Sequence, residues 1–301
     1  VVVLGARFDD FVIGNHAKFC AEATLVHVDI DASEINKIKD AHIPIQGDVK
    51  LVIKAFNEVI TKKLSIQPWI EQVLLWKAEF AHQYPKPKET IVPQDVIVKL
   101  KKQVNDDVIV SVGVGQFQLW TAQLFGFKSP RTFLSSASLA AKGFGLPAAI
   151  GAQMAYPKRQ VIDIEGDGNF LRNIQELQTL KALDIPIKCI VFNNQHMGMV
   201  ALWENKTQKN LSGQTFLGET DFVAIANVFG VKGERICRTD QIEAALQRLL
   251  AYEGPYILDV QYPYAEASHG HVSPMIPGDG SYLDTIMWDG TTLREYLQGG
   301  K

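Results

Sequence analysis

The sequence predicts an α/β protein with doubly wound, mostly parallel sheets. Short runs of β-branched residues alternate with segments of helical period along most of the chain. Several of these runs are almost continuously apolar, which is typical of parallel strands buried on both faces. The chain has 301 residues, of which 47% are hydrophobic, so it is long enough for one large or two medium domains.

The predicted strands follow one another in a regular order. The first half begins with "VVVLGA" at residues 1–6, continues through a helix-capable stretch to the strand "TLVHVDID" at 24–31, and then to the helical segment "ASEINKI" at 32–38. The second half contains the strands "DVIVSVG" at 107–113, "RQVIDIEGDG" at 159–168, "IPIKCIVFNN" at 185–194 and "PYILDVQYP" at 255–263. Amphipathic helices are expected between them, including "LRNIQELQTLKAL" at 171–183.

A Pro- and Lys-rich stretch without periodicity, "HQYPKPKETIVPQD" at 82–95, interrupts this pattern. We therefore assign residues 1–82 to a partial first domain, 83–95 to a linker, and 96–301 to a second, more complete domain with a turn-rich C-terminal tail. The chain starts inside an apparent strand and without an initiator Met. We therefore expect it to be a piece of a longer polypeptide.

The composition gives no support for a nucleic-acid or a membrane partner. A net charge of −3 gives no indication of nucleic-acid binding, and no apolar run approaches the roughly 18 residues of a membrane span. Cys20, Cys189 and Cys237 have neither metal-site nor disulfide spacing. A reducing compartment, and hence a cytoplasmic location, is the prediction.

The central motif is "GDG" at residues 166–168, where a single Asp follows a buried strand, with "NN" at 193–194 closing the next strand. Ligands of open parallel sheets bind beyond the carboxyl ends of the strands, near a switch in strand order. Adjacent strands would place Asp167 beside Asn194, and such oxygen ligands suit Mg²⁺ shared with phosphate. Glycine amides and a helix starting near Phe170 would face that phosphate. The alternative is a plain strand–turn–helix in which Asp167 is an N-cap.

The segments around these motifs resemble the catalytic subunit of acetohydroxyacid (acetolactate) synthase, a thiamine diphosphate-dependent family. The resemblance extends from residue 1 to about 285 and includes the following segments in order: "GARFDDFVIGN", "LVHVDIDASEINK", "PIQGDVKLVI", "GFGLPAAIGAQMAYP", "GDGNFLRNIQEL", "NNQHMGMVALWE" and "VSPMIPGDGSYLD". Several motifs in order are far more specific than one Gly-rich loop.

The resemblance implies ligands for three cofactors. Mg²⁺ would be held by Asp167, Asn194 and the main chain of His196. Thiamine diphosphate would be contacted at Gly115, Gln116, Lys142, Gly166, Gly168, Asn169 and Met197. Structural FAD would be contacted at Arg7, Asp29, Asp31, Asp48 and Val49, although Arg7 could instead pair with Asp9 or Asp10, and Asp31 could cap the helix "ASEINKI".

Two residues match the family's pocket for the second substrate. These are Met199 and Trp203, the latter favouring 2-ketobutyrate; without the family context, Trp203 could be an ordinary buried aromatic. The implied reaction is that of a transferase of branched-chain amino-acid biosynthesis. It decarboxylates pyruvate on thiamine diphosphate and condenses the product with pyruvate or 2-ketobutyrate. A homodimer or tetramer and a regulatory small subunit are implied partners.

The sequence departs from the family pattern at the cofactor. Phe117 replaces a His that contacts the diphosphate, Lys142 stands where a Met wedges under the thiazolium, and Ala140 replaces a Gly. The activating Glu of the family's pyrimidine-binding domain has no counterpart in these residues, so we expect the chain alone to be inactive. Two alternatives stay open, another thiamine diphosphate-dependent decarboxylase or carboligase and a non-catalytic cofactor-binding relic. A nicotinamide-dependent dehydrogenase is disfavoured, because no GxGxxG follows the first strand.

Overall fold

The structure is a computed structural model and describes residues 1–9, 13, 17, 19–79, 84, 89–136, 139–201 and 215–264. The chain forms two compact units, the first within Val1–Ala81 and the second within His82–Pro274. Within these described ranges no helix is both long and apolar enough to cross a membrane.

The first unit contains a small parallel sheet with strand order β1-β2-β3. Its strands are β1 (Val2–Leu4), β2 (Val26–Asp29) and β3 (Ile43–Gln46), followed by helices α1 (Val49–Val59) and α2 (Gln67–Glu79). Val28 in the central strand is fully buried. Asp48 is the N-cap of α1, because its side chain accepts hydrogen bonds from the backbone N–H groups of Lys50 and Leu51.

The helix predicted over residues 32–38 is wrong, since the structure has a series of turns there. Asp31 Oδ1 accepts hydrogen bonds from Ser33 N at 2.9 Å and Ser33 Oγ at 2.8 Å, which is the local bonding that competes with helix. Asn36 has a φ of 62°, a left-handed conformation that no helix accommodates. Asp31 therefore closes a turn instead of capping a helix.

The second unit is built on a six-stranded parallel sheet with strand order β5-β4-β6-β7-β9-β8. The strands are β4 (Ile109–Val112), β5 (Phe133–Ser135), β6 (Val161–Gly166), β7 (Lys188–Asn193), β8 (Lys232–Ile236) and β9 (Tyr256–Gln261). The helices are α3 (Pro93–Lys101), α4 (Gln116–Leu124), α5 (Gly145–Ala155), α6 (Asp167–Phe170), α7 (Leu177–Ala182), α8 (Phe222–Val228) and α9 (Ile242–Ala251).

Apolar side chains cover both faces of this sheet, which confirms the predicted doubly wound class. One cluster contains Leu100 of α3, Trp120 of α4 and Leu246 of α9. The other contains Leu146 of α5 and Leu177 of α7. Strands β4, β6 and β7 are buried along their whole length, as their apolar sequences predict.

Two boundaries differ from the sequence prediction. Residues 91–95, assigned to the linker, are buried, and α3 begins at Pro93, a residue favoured at the first position of a helix. The single helix expected over residues 171–183 is instead a 3₁₀ turn at Ile174–Glu176 followed by the short α7. A side-chain bond interrupts it, since Asn173 Nδ2 donates to the Gly143 carbonyl at 2.6 Å.

Candidate metal and diphosphate site

The predicted site lies at the carboxyl edge of the second sheet. Strand β4 pairs with β5 on one side and with β6 on the other, so the strand order reverses between β4 and β6. Strands β6 and β7 are adjacent and parallel, with Gly166 opposite Phe192, which confirms the strand pairing on which the GDG–NN prediction rested. The segments after β4, β6 and β7 therefore meet at a topological switch point, where such folds bind ligands.

Asp167 is the first residue of α6 and is 5% exposed. Its Oδ1 accepts a hydrogen bond from Gly168 N at 2.6 Å, whereas its Oδ2 is buried and has no hydrogen-bond partner in the described part of the chain. Burial raises the pKa of Asp167 to about 6, and the backbone N–H groups of Gly168, Gln195 and Asn194 partly offset that increase. The N-cap of α6 is Gly166, so Asp167 does not take the capping role of the alternative interpretation.

The structure gives the two asparagines different surroundings. Asn194 is 7% exposed, and its Oδ1 accepts from His196 N at 3.1 Å. Gln195, which lies between Asn194 and His196, has a φ of 63°, and this left-handed turn folds His196 back onto Asn194. Asn193 is held elsewhere, because its Nδ2 donates to Asp259 Oδ1 at 3.0 Å. Asn193 is thus tied to β9, whereas Asn194 lies in the turn that carries His196.

The support behind Asn193 was missed by the sequence analysis. Asp259 in β9 is fully buried and accepts from Arg235 Nε at 2.8 Å, and Arg235 in β8 also binds Asp221 at 2.6 Å. A polar chain of four side chains thus runs from the surface to the residue preceding Asn194. The available signal was a charged residue inside the apolar strand "PYILDVQYP".

The backbone after β4 is joined to the backbone after β6 through Asn169. Asn169 Oδ1 accepts from Val114 N at 3.2 Å and from Gly143 N at 3.0 Å, and its Nδ2 donates to Glu165. Gly113 must lack a side chain, because a Cβ there would lie 1.9 Å from Glu165 Oε2. The predicted positions Gly115, Gly168 and Asn169 are thereby brought to one edge of the sheet.

Phe117 is part of the core in this chain. Its side chain is 7% exposed, and its ring lies so close to the backbone of Gly115 and Gly166 that a Cβ at either would approach it within 2.6 Å. The ring of Phe117 thus packs against the backbone of the predicted cofactor positions Gly115 and Gly166. Gln116 Oε1 lies near Gly198, on the same side as the Asn194 side chain.

Lys142 and Met197 are in contact, since Lys142 Nζ lies 3.2 Å from Met197 Sδ. Burial and the neighbouring charge of Arg172 lower the pKa of Lys142. Met199 is half-buried in a helical segment that begins at residue 198. Trp203 lies outside the described residues.

The five predicted FAD positions lie at or just beyond the carboxyl ends of the three strands of the first unit. Arg7 pairs with Asp9 at 3.0 Å, as the alternative interpretation expected. Asp29 is 7% exposed and accepts from Asp31 N at 2.9 Å. Asp48 caps α1, and Val49 is its first residue. These side chains form local turns and caps around one edge, the usual ligand edge of a parallel sheet.

Comparison with known proteins agrees with the α/β fold and with a ligand site at the carboxyl edge of the second sheet. Residues 113–260 match the thiamine pyrophosphate enzyme C-terminal TPP binding domain, and residues 1–56 match the central domain of the same enzymes. The chain therefore carries matches to two domains of the thiamine pyrophosphate enzymes, the central domain and the C-terminal TPP binding domain.

Two individual relatives show to which of these enzymes the chain is similar. The chain is 41% identical over 307 residues to acetolactate synthase 1, chloroplastic, of Zea mays, covering 97% of this chain and 48% of that protein. It is 40% identical over 299 residues to acetolactate synthase, chloroplastic, of Arabidopsis thaliana, covering 95% of this chain and 44% of that protein. The chain therefore spans about half the length of the curated relatives it matches.

Proposed function

We propose that this chain is the cofactor-binding portion of an acetolactate synthase. The enzyme would decarboxylate pyruvate and join the product to pyruvate or 2-ketobutyrate, a transferase step of branched-chain amino-acid biosynthesis. The identity of about 41% across nearly the whole chain supports this activity. The observation that carries the proposal is Oδ2 of Asp167, which is buried beside Asn194 at the switch point and has no hydrogen-bond partner among the residues that the structure describes.

The residues present fit Mg²⁺. A buried carboxylate oxygen without a donor is costly, and a bound cation would satisfy it. Asp167, Asn194 and the main chain of His196 would hold the ion. The N–H groups at Gly115, Gln116, Gly168 and Asn169 would face the diphosphate.

Thiamine diphosphate, when bound, supplies the electron sink for decarboxylation. The residues of this chain would anchor the cofactor and orient it. Asn169 fixes the two backbone segments at Val114 and Gly143, and the ring of Phe117 packs against the backbone of Gly115 and Gly166. Met199 and Trp203 would line the pocket of the second keto acid.

Further features of the proposal concern FAD, assembly and location. FAD would bind at the edge formed by Arg7, Asp29, Asp31, Asp48 and Val49. A homodimer or tetramer, with or without a regulatory small subunit, would complete the enzyme. A cytoplasmic location remains a prediction, which the free thiols of Cys20, Cys189 and Cys237 support.

One observation favours a second candidate, another thiamine diphosphate-dependent carboligase with a different 2-keto acid. The Lys142 ammonium contacts Met197, where the synthase family has an uncharged wedge. A cation beside the thiazolium is unfavourable unless an anionic group of the substrate compensates it.

The full gene product should be assayed for acetolactate formation from pyruvate with thiamine diphosphate, Mg²⁺ and FAD. Asp167→Ala should abolish product, whereas Asp240→Ala, at an exposed Asp paired with Arg238, should retain it. Product that persists in Asp167→Ala would contradict the proposed metal site. No product from wild type, with cofactor binding intact, would favour the second candidate, and Lys142→Met would then be tested for gain of acetolactate formation.

A further inference from the structure

Glu165 is a buried carboxylate that the mechanism above does not use. It lies in the middle of the second sheet, in β6, and is 0% exposed. Its Oε1 accepts from Leu146 N at 3.2 Å in the first turn of α5, and its Oε2 accepts from Asn169 Nδ2. Gly145 N, at the start of α5, is a further donor to this carboxyl group. Burial raises the pKa of Glu165 to about 8, and the hydrogen bonds from Asn169, Leu146 and Gly145 oppose that increase. Each Glu165 oxygen is therefore bound from a different segment of the chain.

The bond from Glu165 decides which way the Asn169 carboxamide points. Asn169 Oδ1 accepts two backbone N–H groups, those of Val114 and Gly143. A flipped carboxamide would place an N–H₂ group against two N–H donors and an oxygen against a carboxylate. The Glu165 acceptor thus excludes the wrong orientation of Asn169.

The surrounding backbone leaves no room for adjustment. A Cβ on Gly113 would lie 1.9 Å from Glu165 Oε2, and a Cβ on Gly145 would lie 2.2 Å from Glu165 Oε1. Asn173 Nδ2 fixes Gly143 from the other side by donating to its carbonyl at 2.6 Å. Two loops and a helix start are thereby locked around one carboxylate.

We propose that Glu165 is a positioning residue for thiamine diphosphate, acting through Asn169 to fix the backbone at Val114 and Gly143, which adjoin the predicted cofactor positions Gly115 and Lys142. The inference rests on the cofactor assignment of the proposed function. It concerns hydrogen-bond direction: each Glu165 oxygen accepts a hydrogen bond, one from Asn169 and one from α5, and an amide side chain has only one such oxygen.

The test compares Glu165→Gln with Asp163→Asn. Asp163 is also fully buried in β6, but neither of its oxygens has a hydrogen-bond partner in the described part of the chain, and the Cys189 thiol is next to it. It shares the strand and the burial of Glu165 but has no bond to Asn169. Because the charge of Glu165 helps to raise the pKa of Asp163, the two carboxyl groups are neighbours, and Asp163→Asn controls for the loss of a buried carboxyl group beside Glu165.

Binding of thiamine diphosphate with Mg²⁺ should be measured on the full gene product by calorimetry, without pyruvate, beside thermal melts of the apo-protein. Glu165→Gln should weaken binding by at least about tenfold, the effect typical of groups that orient a ligand-holding residue. Asp163→Asn should stay within about threefold of wild type. In the acetolactate assay Glu165→Gln should raise the half-saturating cofactor concentration, while kcat at saturating cofactor stays within about threefold of wild type.

A double variant adds a second criterion. Asn169→Ala should cost about as much cofactor affinity as Glu165→Gln, and the double variant little more, because both break one link. If Glu165→Gln does not fold, Glu165→Asp, which keeps the charge but withdraws the oxygens by one methylene, should show the same loss.

The inference would be overturned if Glu165→Gln lowered the melting temperature but bound thiamine diphosphate as tightly as wild type. It would also be overturned if the losses of cofactor affinity in Glu165→Gln and Asn169→Ala were fully additive in the double variant. Wild type that binds the cofactor but makes no acetolactate would contradict the proposed function alone, and the affinity comparison would still decide the inference. Wild type that binds no cofactor would overturn both.

Discussion

Asp167→Asn should make the apo-protein more stable while removing its response to metal and cofactor. The pKa of Asp167 is raised to about 6 by burial, against about 3.9 for an Asp in an unfolded chain. Because each pKa unit corresponds to about 1.4 kcal/mol, the ionised carboxylate costs the folded state up to about 3 kcal/mol at pH 7.5. Asn keeps an acceptor for Gly168 N but carries no charge. We therefore expect a gain of about 1–3 kcal/mol in the free energy of unfolding.

The gain should depend on pH in a defined direction. Since the folded pKa lies above the unfolded value, the folded state binds more protons between about pH 4 and 6, and wild type recovers stability as the pH falls through that window. The difference between variant and wild type should vanish near pH 4. Saturation with Mg²⁺ and thiamine diphosphate should reverse the order, because about 1,000 times the Kd stabilises wild type by about 4.1 kcal/mol, which exceeds the expected gain of the variant.

Urea unfolding at pH 7.5 and near pH 4, with and without Mg²⁺ and thiamine diphosphate, measures these quantities. Asp221→Asn is the control of opposite sign, because the pKa of Asp221 is lowered by hydrogen bonding to Ala224 N and by Arg235. Its contribution to stability is present at neutral pH and is lost as the pH falls through the folded pKa. An apo Asp167→Asn protein less stable than wild type at pH 7.5 would refute the reasoning.

Three further substitutions test the packing and the polar support of the site. Gly113→Ala should abolish cofactor binding in calorimetry, since its Cβ would overlap Glu165; undiminished binding would show that the loop can move. Phe117→His should lower the melting temperature by a few degrees, because it places a polar ring in the core, and cofactor affinity should stay within about threefold of wild type. A clear gain in cofactor affinity would instead indicate that the His contacts the diphosphate. Arg235→Met should cost about 1–3 kcal/mol in urea unfolding by stranding the Asp259 carboxylate, and Asp259→Asn should recover part of it; no recovery would contradict the coupling.

The sequence predicted the central strands well and the edge strands poorly. Strands β4, β6, β7 and β9 are apolar runs because both of their faces are covered. Strands β3, β5 and β8 were not predicted. β8 reads "KGERI" with only Ile236 buried, and β5 has three half-buried residues, so neither carries the apolar signal. Both lie at the ends of the sheet, where one side is unpaired and polar residues are tolerated.

In the candidate site, too, the sequence predicted what depends on neighbouring residues and missed what depends on residues distant in the chain. Asp167 and Asn194 could be selected from the sequence, because each follows an apolar strand and parallel strands end at one edge. The separate roles of Asn193 and Asn194 could not, because they depend on Asp259, 66 residues from Asn193, and on the left-handed turn at Gln195. Phe117 was predicted to be a lost diphosphate contact, and only the structure places its ring in the core.

By itself the sequence determined the α/β class, the two units and the strand ends that carry the cofactor motifs, since hydrophobic periodicity and glycine turns are local signals. Only the tertiary structure decided the strand order that creates the switch point and left Oδ2 of Asp167 without a hydrogen-bond partner among the described residues. It also decided the link from Glu165 to Asn169 and from there to Val114, which lies 55 residues from Asn169. The direction of a buried hydrogen bond depends on which distant donors meet one acceptor after folding, and no local pattern encodes that.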